Sequence, residues 1–411
     1  MGNRIAIILA AGESSRMNTK LPKVLHEVCG RPMLSYVLDA CRDVGVEKMF
    51  VVVGYGREQV IEQYEGESDI VFVEQAEQKG TGHAVMCCKE KIGGLDGDVL
   101  VLYGDGPLIR SETLKTLIDK HEKEMSSATL ATTILKDPAG YGRIERDLYG
   151  NIQGIVEERD CTGKQRRIQE INPGYYCFSI DVLLEALEKI TPDNEKHEYY
   201  LTDALHLVIA AGKKVVAVTA VAAEDAMGVN SRAQLSEASK IMQQRIQERL
   251  MSAGVTIVDP DNTWIDARAR VGQDTVIESF TYIHGQVSIG RNCRVGPFAY
   301  LRNGTVLEDE VVLGVFTEVK NTVLGGGVRV RHHSYLGDAT VGENVNIGAG
   351  SITANFDGEK ICQSKIGKDS FVGSGAVLIA PLDIKAGSHI SSGSVVSQDD
   401  VNNIVQGSDE S

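Results

Sequence analysis

Aliphatic side chains fall on every sixth position ten times in succession: Ile265, Val271, Ile277, Ile283, Ile289, Val295, Leu301, Leu307, Leu313 and Val319. Small or polar residues, many of them glycine, fill the gaps. A period of six fits neither the 3.6 of a helix nor the alternation of an ordinary strand. It fits a chain that turns a corner every six residues and points one aliphatic side chain inward at each corner. Three corners close a triangular coil, and stacked coils bury their aliphatics in continuous ladders. The pattern therefore predicts a hexapeptide β-helix. One-residue slips interrupt the series, which resumes at Leu324, Val330 and Leu336, and again at Val341 and Ile347. It returns at Ile366, Val372, Leu378, Ile384, Ile390 and Val396. Between these runs, Thr353–Lys365 breaks the register and reads as an external loop.

The first half is patterned differently. Aliphatic runs at Ile5–Leu9, Met49–Val53, Ile70–Val73 and Val99–Tyr103 alternate with segments of helical character. Short buried strands separated by helices predict an α/β domain with a largely parallel sheet. One helix joins the halves, with Ser231 as its cap and Leu235, Ala238, Met242, Ile246 and Leu250 as its apolar stripe. Gly254 stands where a left-handed C-terminal cap is expected. The expected domains are thus 1–230, a linker helix 231–254, a β-helix 255–400 and a short tail 401–411. A chain of 411 residues is too long for one ordinary core, which fits the division.

Composition narrows the chemistry. A net charge of −15 argues against a nucleic-acid surface, because phosphate backbones need clustered Lys and Arg. No apolar run approaches the roughly 20 residues that cross a bilayer. Ile5–Ala11 is too short, and too soon followed by Glu13 and Arg16, to serve as a signal peptide. Eight cysteines without CxxC or a regular framework read as reduced thiols of a cytoplasmic protein.

The first strand runs into Ala10-Ala11-Gly12-Glu13-Ser14-Ser15-Arg16-Met17, with Leu21-Pro22-Lys23 close behind. Small residues let a ligand approach the backbone, and successive N–H groups can ring phosphate oxygens. Arg16 and Lys23 add positive charge beside them. Neither the GxGxxG pattern nor the GxxxxGKS loop is present.

Downstream, in order, come LPKVLHEV, QAEQKGTGHA, YGDGPLI, GYGRI, GIVEERD, EINPGYY, EYYLTD and GVNSR. With LAAGESSRM in front, this series resembles the sugar-nucleotide pyrophosphorylases. With a β-helix behind it, the chain resembles the bacterial bifunctional N-acetylglucosamine-1-phosphate uridyltransferases/glucosamine-1-phosphate acetyltransferases, over nearly its whole length. The resemblance implies a Rossmann-like nucleotidyltransferase domain, a linker helix and a left-handed parallel β-helix. It implies a cytoplasmic homotrimer that makes UDP-N-acetylglucosamine for cell-envelope synthesis.

The resemblance also assigns residues. Gly12, Arg16 and Lys23 would hold the phosphates of UTP, and Gln75, Gly80 and Thr81 would read the uracil. Asp105 and Asn230 would hold Mg²⁺, an ion that suits oxygen ligands. Gly142, Glu157 and Asn172 would hold the N-acetylglucosamine moiety of N-acetylglucosamine-1-phosphate. In the β-helix, in YLRNG, EVKN, RHHSYLGD, NVNIGAG and ANFDG, His332 would be the general base for acetyl transfer from acetyl-CoA to glucosamine-1-phosphate. Arg302 and Lys320 would hold the sugar phosphate, Tyr335 and Asn346 the sugar, and Asn355 would lie in the external loop. His333 reads as a surface residue.

Several positions depart from the family. Ser14 and Ser15 stand for the usual Gly and Thr, and Gly106 for the valine of GDVP. The family's LRP is LRN here, and the chain ends at Ser411, where the family continues with a segment that helps enclose acetyl-CoA. Two other readings therefore stay open. One is a monofunctional uridyltransferase whose β-helix serves only trimerisation, and the other is a pyrophosphorylase for a different hexose-1-phosphate.

Overall fold

The computed structural model describes residues 4–13, 15–194 and 197–401. Residues 402–411 of the short tail, and Ser14, lie outside the described residues. The chain divides into two compact units, Met1–Ile241 and Met242–Ser411. Among the described residues no helix is long and apolar enough to cross a membrane.

The first unit is built on one sheet. Its strands run in the order Val215–Thr219, Ala128–Ile134, Glu170–Ser179, Asp98–Tyr103, Ile5–Leu9, Lys48–Val53 and Ile70–Glu74. A hairpin, Gly142–Arg146 with Ile152–Val156, joins Glu170–Ser179 at its side. The central strands are apolar on both faces, as sheets covered on two sides require. Ile5 and Ile7 enter one core with Val85, Leu183 and Leu205, whereas Ala6 and Ile8 enter the other with Leu34, Leu38 and Leu117. The sheet is largely parallel, as the sequence pattern predicts, with one reversed strand in its main order. Glu170–Ser179 runs antiparallel to both of its neighbours. A strand buried along nearly its whole length has the same composition whichever way it runs, so periodicity could not reveal its direction.

The second unit is a left-handed parallel β-helix made of three parallel sheets with eight, eight and seven strands. Most coils stack at a step of eighteen residues, Ile289 on Leu307 and Val295 on Leu313. Each one-residue slip makes a coil of seventeen, as in Leu307 on Leu324 and Leu324 on Val341. The register break is one longer coil, with Val341 on Ile366 and Ile347 on Val372. Its excursion is shorter than the sequence suggests. Thr353 and Ala354 belong to strand Ile352–Ala354, and Ser364 and Lys365 to strand Ser364–Ile366. Thr353 takes the inward corner between Leu336 and Leu378, and its hydroxyl accepts from the Gly337 N–H at 2.7 Å and donates to the Gly337 carbonyl at 3.0 Å. A hydroxyl satisfied in this way can replace an aliphatic in the ladder.

A second inward column accompanies the first. Two residues before nearly every ladder aliphatic stands a small or β-branched side chain, Leu382 before Ile384 being an exception, and Thr275, Cys293, Ala299, Thr305, Val311, Thr317, Thr322 and Val328 are all buried. Glycine after the aliphatic lets the next coil close down. A Cβ on Gly314 would lie 1.8 Å from the Arg331 carbonyl oxygen, and one on Gly348 would lie 2.4 Å from the Ser374 nitrogen. Outside, Phe280, Phe298, Phe316 and His333 stack at one corner with ring centroids 4.8, 5.2 and 5.1 Å apart.

The open end of a β-helix exposes unpaired backbone groups, which must be covered. Helix Arg232–Ser252 provides the cover. Its N-terminus is capped by Ser231, whose Oγ accepts from the Gln234 N–H at 3.3 Å, and Gly254 follows it at φ +92°. From Met242 onward it buries Met242, Ile246 and Leu250. Beside this stripe, Gln243 donates to the Ile265 carbonyl at 2.6 Å and accepts from the Ile265 N–H at 3.0 Å. Gln247 donates to the carbonyls of Pro260 and Thr263 at 2.9 and 2.8 Å. Two buried glutamines therefore finish the first coil's hydrogen bonds.

Asp266 on that coil is 2% exposed. It accepts from Arg268 at 2.8 Å and from the Gly285 N–H at 2.9 Å. Burial alone would raise its carboxyl, but the Arg268 guanidinium and the backbone N–H groups outweigh it and hold Asp266 below the usual carboxylate range.

Trp264, the chain's single tryptophan, adjoins Ile265 and stacks on Tyr282, so its fluorescence reports on this end. We expect Gln243→Ala to leave the paired Ile265 groups unsatisfied and to lower stability by about 1–3 kcal/mol in urea unfolding followed at Trp264. The exposed neighbour Gln244→Ala should be neutral, and equal effects of the two would contradict the capping role. Because the folded Asp266 is depressed, its contribution is complete above the unfolded carboxyl's range and is lost as pH falls through the folded value. Asp266→Asn should therefore lose stability at neutral pH, and its deficit should shrink in strong acid.

Candidate active sites

In the first unit, the loops after the strands frame a cleft of about 540 Å³. The turn after Ile5–Leu9 is held by the Ala10 N–H on the Val52 carbonyl at 2.9 Å and by Gln78 on the Ala11 carbonyl at 3.1 Å. Gly12 lines the cleft, with nothing within 4 Å of where its Cβ would be. Lys23 also lines it, whereas Arg16 is exposed on a short 3-10 turn and is not among the lining residues. The Ser14 and Ser15 side chains lie outside what is described.

Gln75 is 3% exposed. Its NH₂ reaches the Gly80 carbonyl at 3.1 Å and His83 Nδ1 at 3.0 Å, and among the described residues nothing donates to its Oε1. Burial, reinforced by Lys79, holds His83 below its ordinary pKa, so the neutral ring can accept from Gln75. Gly80 has φ +103°, and a Cβ there would lie 2.6 Å from the Tyr199 carbonyl oxygen. Thr81 Oγ1 accepts from the Leu201 N–H at 3.0 Å. These contacts pin the loop and fix which edge of Gln75 faces the cleft.

Asp105 follows strand Asp98–Tyr103, and its carbonyl accepts from the Val229 N–H at 3.0 Å, which brings Asn230 alongside. The Lys23 ammonium sits between them, bonded to Asp105 Oδ2 and, at 2.9 Å, to Asn230 Oδ1. One carboxylate and one amide oxygen thus already converge on a cation. A second cavity of about 230 Å³ shares Tyr103, Asp105, Glu157 and Asn230 with the first and adds Gly142 and Asn172. Glu157 accepts from the Thr202 hydroxyl at 3.2 Å. A Cβ on Gly142 would lie 2.9 Å from Ile155. The Asn172 side chain donates to the Tyr176 hydroxyl at 2.6 Å and accepts from the Gly174 N–H at 3.1 Å.

Two contributors were missed from sequence. Tyr103 lines both cavities and so joins the two groups of residues. Arg143, 2% exposed, pairs with Glu158 at 2.6 Å and donates to the Tyr141 carbonyl, fixing the loop over the smaller cavity. Both lie inside quoted motifs, YGDGPLI and GYGRI. Their place in three dimensions, Tyr103 between the cavities and Arg143 buried beneath the loop, distinguishes them from spacers. At Gly106, φ is not positive and a Cβ would make only ordinary contacts, with the Tyr175 hydroxyl at 3.5 Å and the Tyr103 carbonyl oxygen at 3.8 Å, so the departure from valine creates no backbone demand.

The β-helix candidates form two groups. Asp338, 5% exposed, collects Asn321 at 2.6 Å, Asn355, and Lys320 at 3.4 Å. Burial pushes its carboxyl up, but those hydrogen bonds and the ammonium prevail and hold it low. The Tyr335 ring lies along its strand over Gly337, where a Cβ would be 2.4 Å from the hydroxyl and 2.8 Å from Asn355 Nδ2. Arg302, in register with Lys320, pairs with Glu318 at 3.0 Å. His332 and Asn346 belong to another sheet, where His332 pairs with Val315 and Asn346 with Arg329. His332 is exposed at the corner between the two sheets, and His333 beside it is exposed and touches Phe316.

Residues 6–193 match the family model of MobA-like NTP transferase domains. Residues 268–303 match the bacterial transferase hexapeptide model, and 364–398 the hexapeptide repeat of succinyl-transferase. A solved UDP-glucose pyrophosphorylase complexed with UDP-glucose overlaps with a TM-score of 0.49 at 20% identity, over 59% of this chain and 99% of that one, too low a similarity to carry an argument. The bifunctional protein GlmU of Listeria monocytogenes serotype 4b is 41% identical over 97% of this chain and 94% of its own length. Those of a Geobacillus strain and of Heliobacterium modesticaldum are each 42% identical over the same shares. With a nucleotidyltransferase unit, a hexapeptide β-helix and identity at this level along almost its entire length, the chain belongs to the family of bifunctional GlmU proteins.

Proposed function

We propose that the chain transfers uridylyl from UTP to N-acetylglucosamine-1-phosphate, and in its β-helix transfers acetyl from acetyl-CoA to glucosamine-1-phosphate. Full-length kinship with the bifunctional proteins carries this reading. In the first reaction a phosphate oxygen of the sugar phosphate attacks the α-phosphorus of UTP. The bond to the β-phosphate oxygen breaks, and pyrophosphate leaves. The nucleophile is already ionised, so positioning and charge supply most of the rate and no strong base is needed. Gln75 suits an imide: with its NH₂ engaged by the protein, its carbonyl remains to accept the uracil N–H. Glu157, Gly142 and Asn172 line the adjoining cavity, on the side where the sugar would lie.

Asp105 and Asn230 would hold Mg²⁺, and their oxygens meeting on the Lys23 ammonium support that donor set. The ion, when bound, neutralises phosphate charge. Lys23 would then pass to the phosphates, and Arg16 would reach them from the loop's exposed side.

In the second reaction the amine nitrogen attacks the thioester carbonyl, CoA leaves as its thiolate, and His332 takes the ammonium proton. Lys320 and Arg302 supply cations for the sugar phosphate. His332 and Asn346 lie on a different sheet from that pair, which favours a site completed by another copy and hence a homotrimer. Eight free cysteines fit a reducing cytoplasm.

Assaying the half-reactions separately tests the proposal. Asp105→Ala should nearly abolish UDP-N-acetylglucosamine formation while leaving acetyl transfer intact, and near-normal uridylyl transfer would overturn the metal assignment. His332→Ala should do the opposite, slowing acetyl transfer by about 10²- to 10⁴-fold. A wild-type chain without acetyl transfer would leave the β-helix as a trimerisation scaffold. Light scattering should give a trimer at micromolar concentration, and a stable monomer would contradict the shared site.

A further inference from the structure

At the opposite end of the strand that delivers Tyr103 to the cleft, three metal-ligating side chains meet. Asp98 opens that strand, Cys177 faces it from Glu170–Ser179, and His121 comes from the last turn of helix Ser111–Glu124. Their carboxylate oxygen, Sγ and imidazole nitrogen lie within 4.8 Å of one another. His121 Nε2 is 3.3 Å from Asp98 Oδ1. Two ligands each about 2.0–2.1 Å from a tetrahedral zinc lie about 3.3 Å apart, so this pair already has the separation such an ion imposes.

The surroundings are those of an oriented ligand set. His121 is 3% exposed, and its Nδ1 is engaged by Thr129 Oγ1 at 2.9 Å and Ser126 Oγ at 3.3 Å, which fixes the ring and directs Nε2 at Asp98. Cys177 is 1% exposed, and among the described residues its sulfur makes no hydrogen bond. Its sulfur lies within 4.8 Å of the histidine nitrogen and the carboxylate oxygen, a separation that a cation among the three can bridge. Asp98 is 29% exposed, leaving one side through which an ion and a water ligand can enter.

We propose that Asp98, His121 and Cys177 bind one divalent transition-metal ion of the zinc class. Thiolate and imidazole ligands select such ions over Mg²⁺, so the site is chemically separate from the all-oxygen pair at Asp105 and Asn230. On binding, the thiol proton leaves to solvent, and thiolate and carboxylate together balance the dication. The ion would tie a helix end to two core strands, a structural role that leaves the catalytic cleft untouched.

Cobalt titration of the chelator-stripped full chain tests this directly. About one equivalent of Co²⁺ should produce a thiolate-to-cobalt charge-transfer band with intense tetrahedral visible bands, which one equivalent of Zn²⁺ abolishes. Cys177→Ala should lose the charge-transfer band, His121→Gln should weaken binding because it removes a direct ligand, and Asp105→Asn should change neither. No thiolate band in the wild type, or a band that survives Cys177→Ala, would overturn the proposal. Should the variants fail to fold, X-ray absorption of the zinc-loaded wild type decides. One sulfur at about 2.3 Å with N/O ligands at about 2.0–2.1 Å is expected, and an all-oxygen shell refutes the site.

Discussion

The cation held between Asp105 and Asn230 is the interaction on which the catalytic unit is organised. Lys23, Asp105 and Asn230 come from three distant segments, and each reaches the cleft because a strand or a backbone hydrogen bond delivers it there. The Lys23 and Asp105 side chains are only 16% and 18% exposed, so their attraction is less screened than that of a surface pair. Remove the positive charge and a half-buried carboxylate is left facing the cleft uncompensated. That instability is useful. In the proposed reaction, a site that holds a cation between these oxygens would exchange the ammonium for a metal ion arriving with the triphosphate.

The second unit obeys a different constraint, the distance between stacked coils. Parallel pairing fixes it at the strand spacing of about 4.8 Å, so whatever lies between coils must be thin. Glycine after the ladder residue satisfies this at Gly314 and Gly348, and short side chains fill the second inward column. The same rule makes sequence distance a ruler. A site residue on one coil has its neighbours seventeen or eighteen positions away, so Arg302 and Lys320 stand in register, and Lys320 stands in register with Gly337 just before Asp338.

This ruler explains what the sequence made legible. Inward positions of the β-helix repeat, so ten aliphatics in a row declare the coil, and even the slips could be placed at Leu324 and Val341. Strand direction does not repeat: Glu170–Ser179 is buried throughout and reads alike either way. Thr353 reads as loop because a threonine does not announce that its hydroxyl is satisfied by Gly337. Gln243 and Gln247 were invisible for the same reason, being polar residues on a helix whose partners are backbone groups of a different element. The motif series located most of the cleft, since Gln75, Gly80, Thr81, Lys23, Asp105 and Asn230 all line it or adjoin it. It could not single out Tyr103, which lines both cavities in three dimensions, nor reveal that Arg16 stands outside the cleft wall.

The central claim is that Asp105 and Asn230 form one cation site that works with the nucleotide. Its most direct test is the binding of Mn²⁺ in place of Mg²⁺, followed by the loss of the free-ion paramagnetic resonance signal, with and without UTP. Tight uptake of about one equivalent that requires UTP, and that weakens when Asn230 is changed to Ala, is the predicted result. Uptake of the same strength in wild type and Asn230→Ala, or uptake indifferent to UTP, would contradict it.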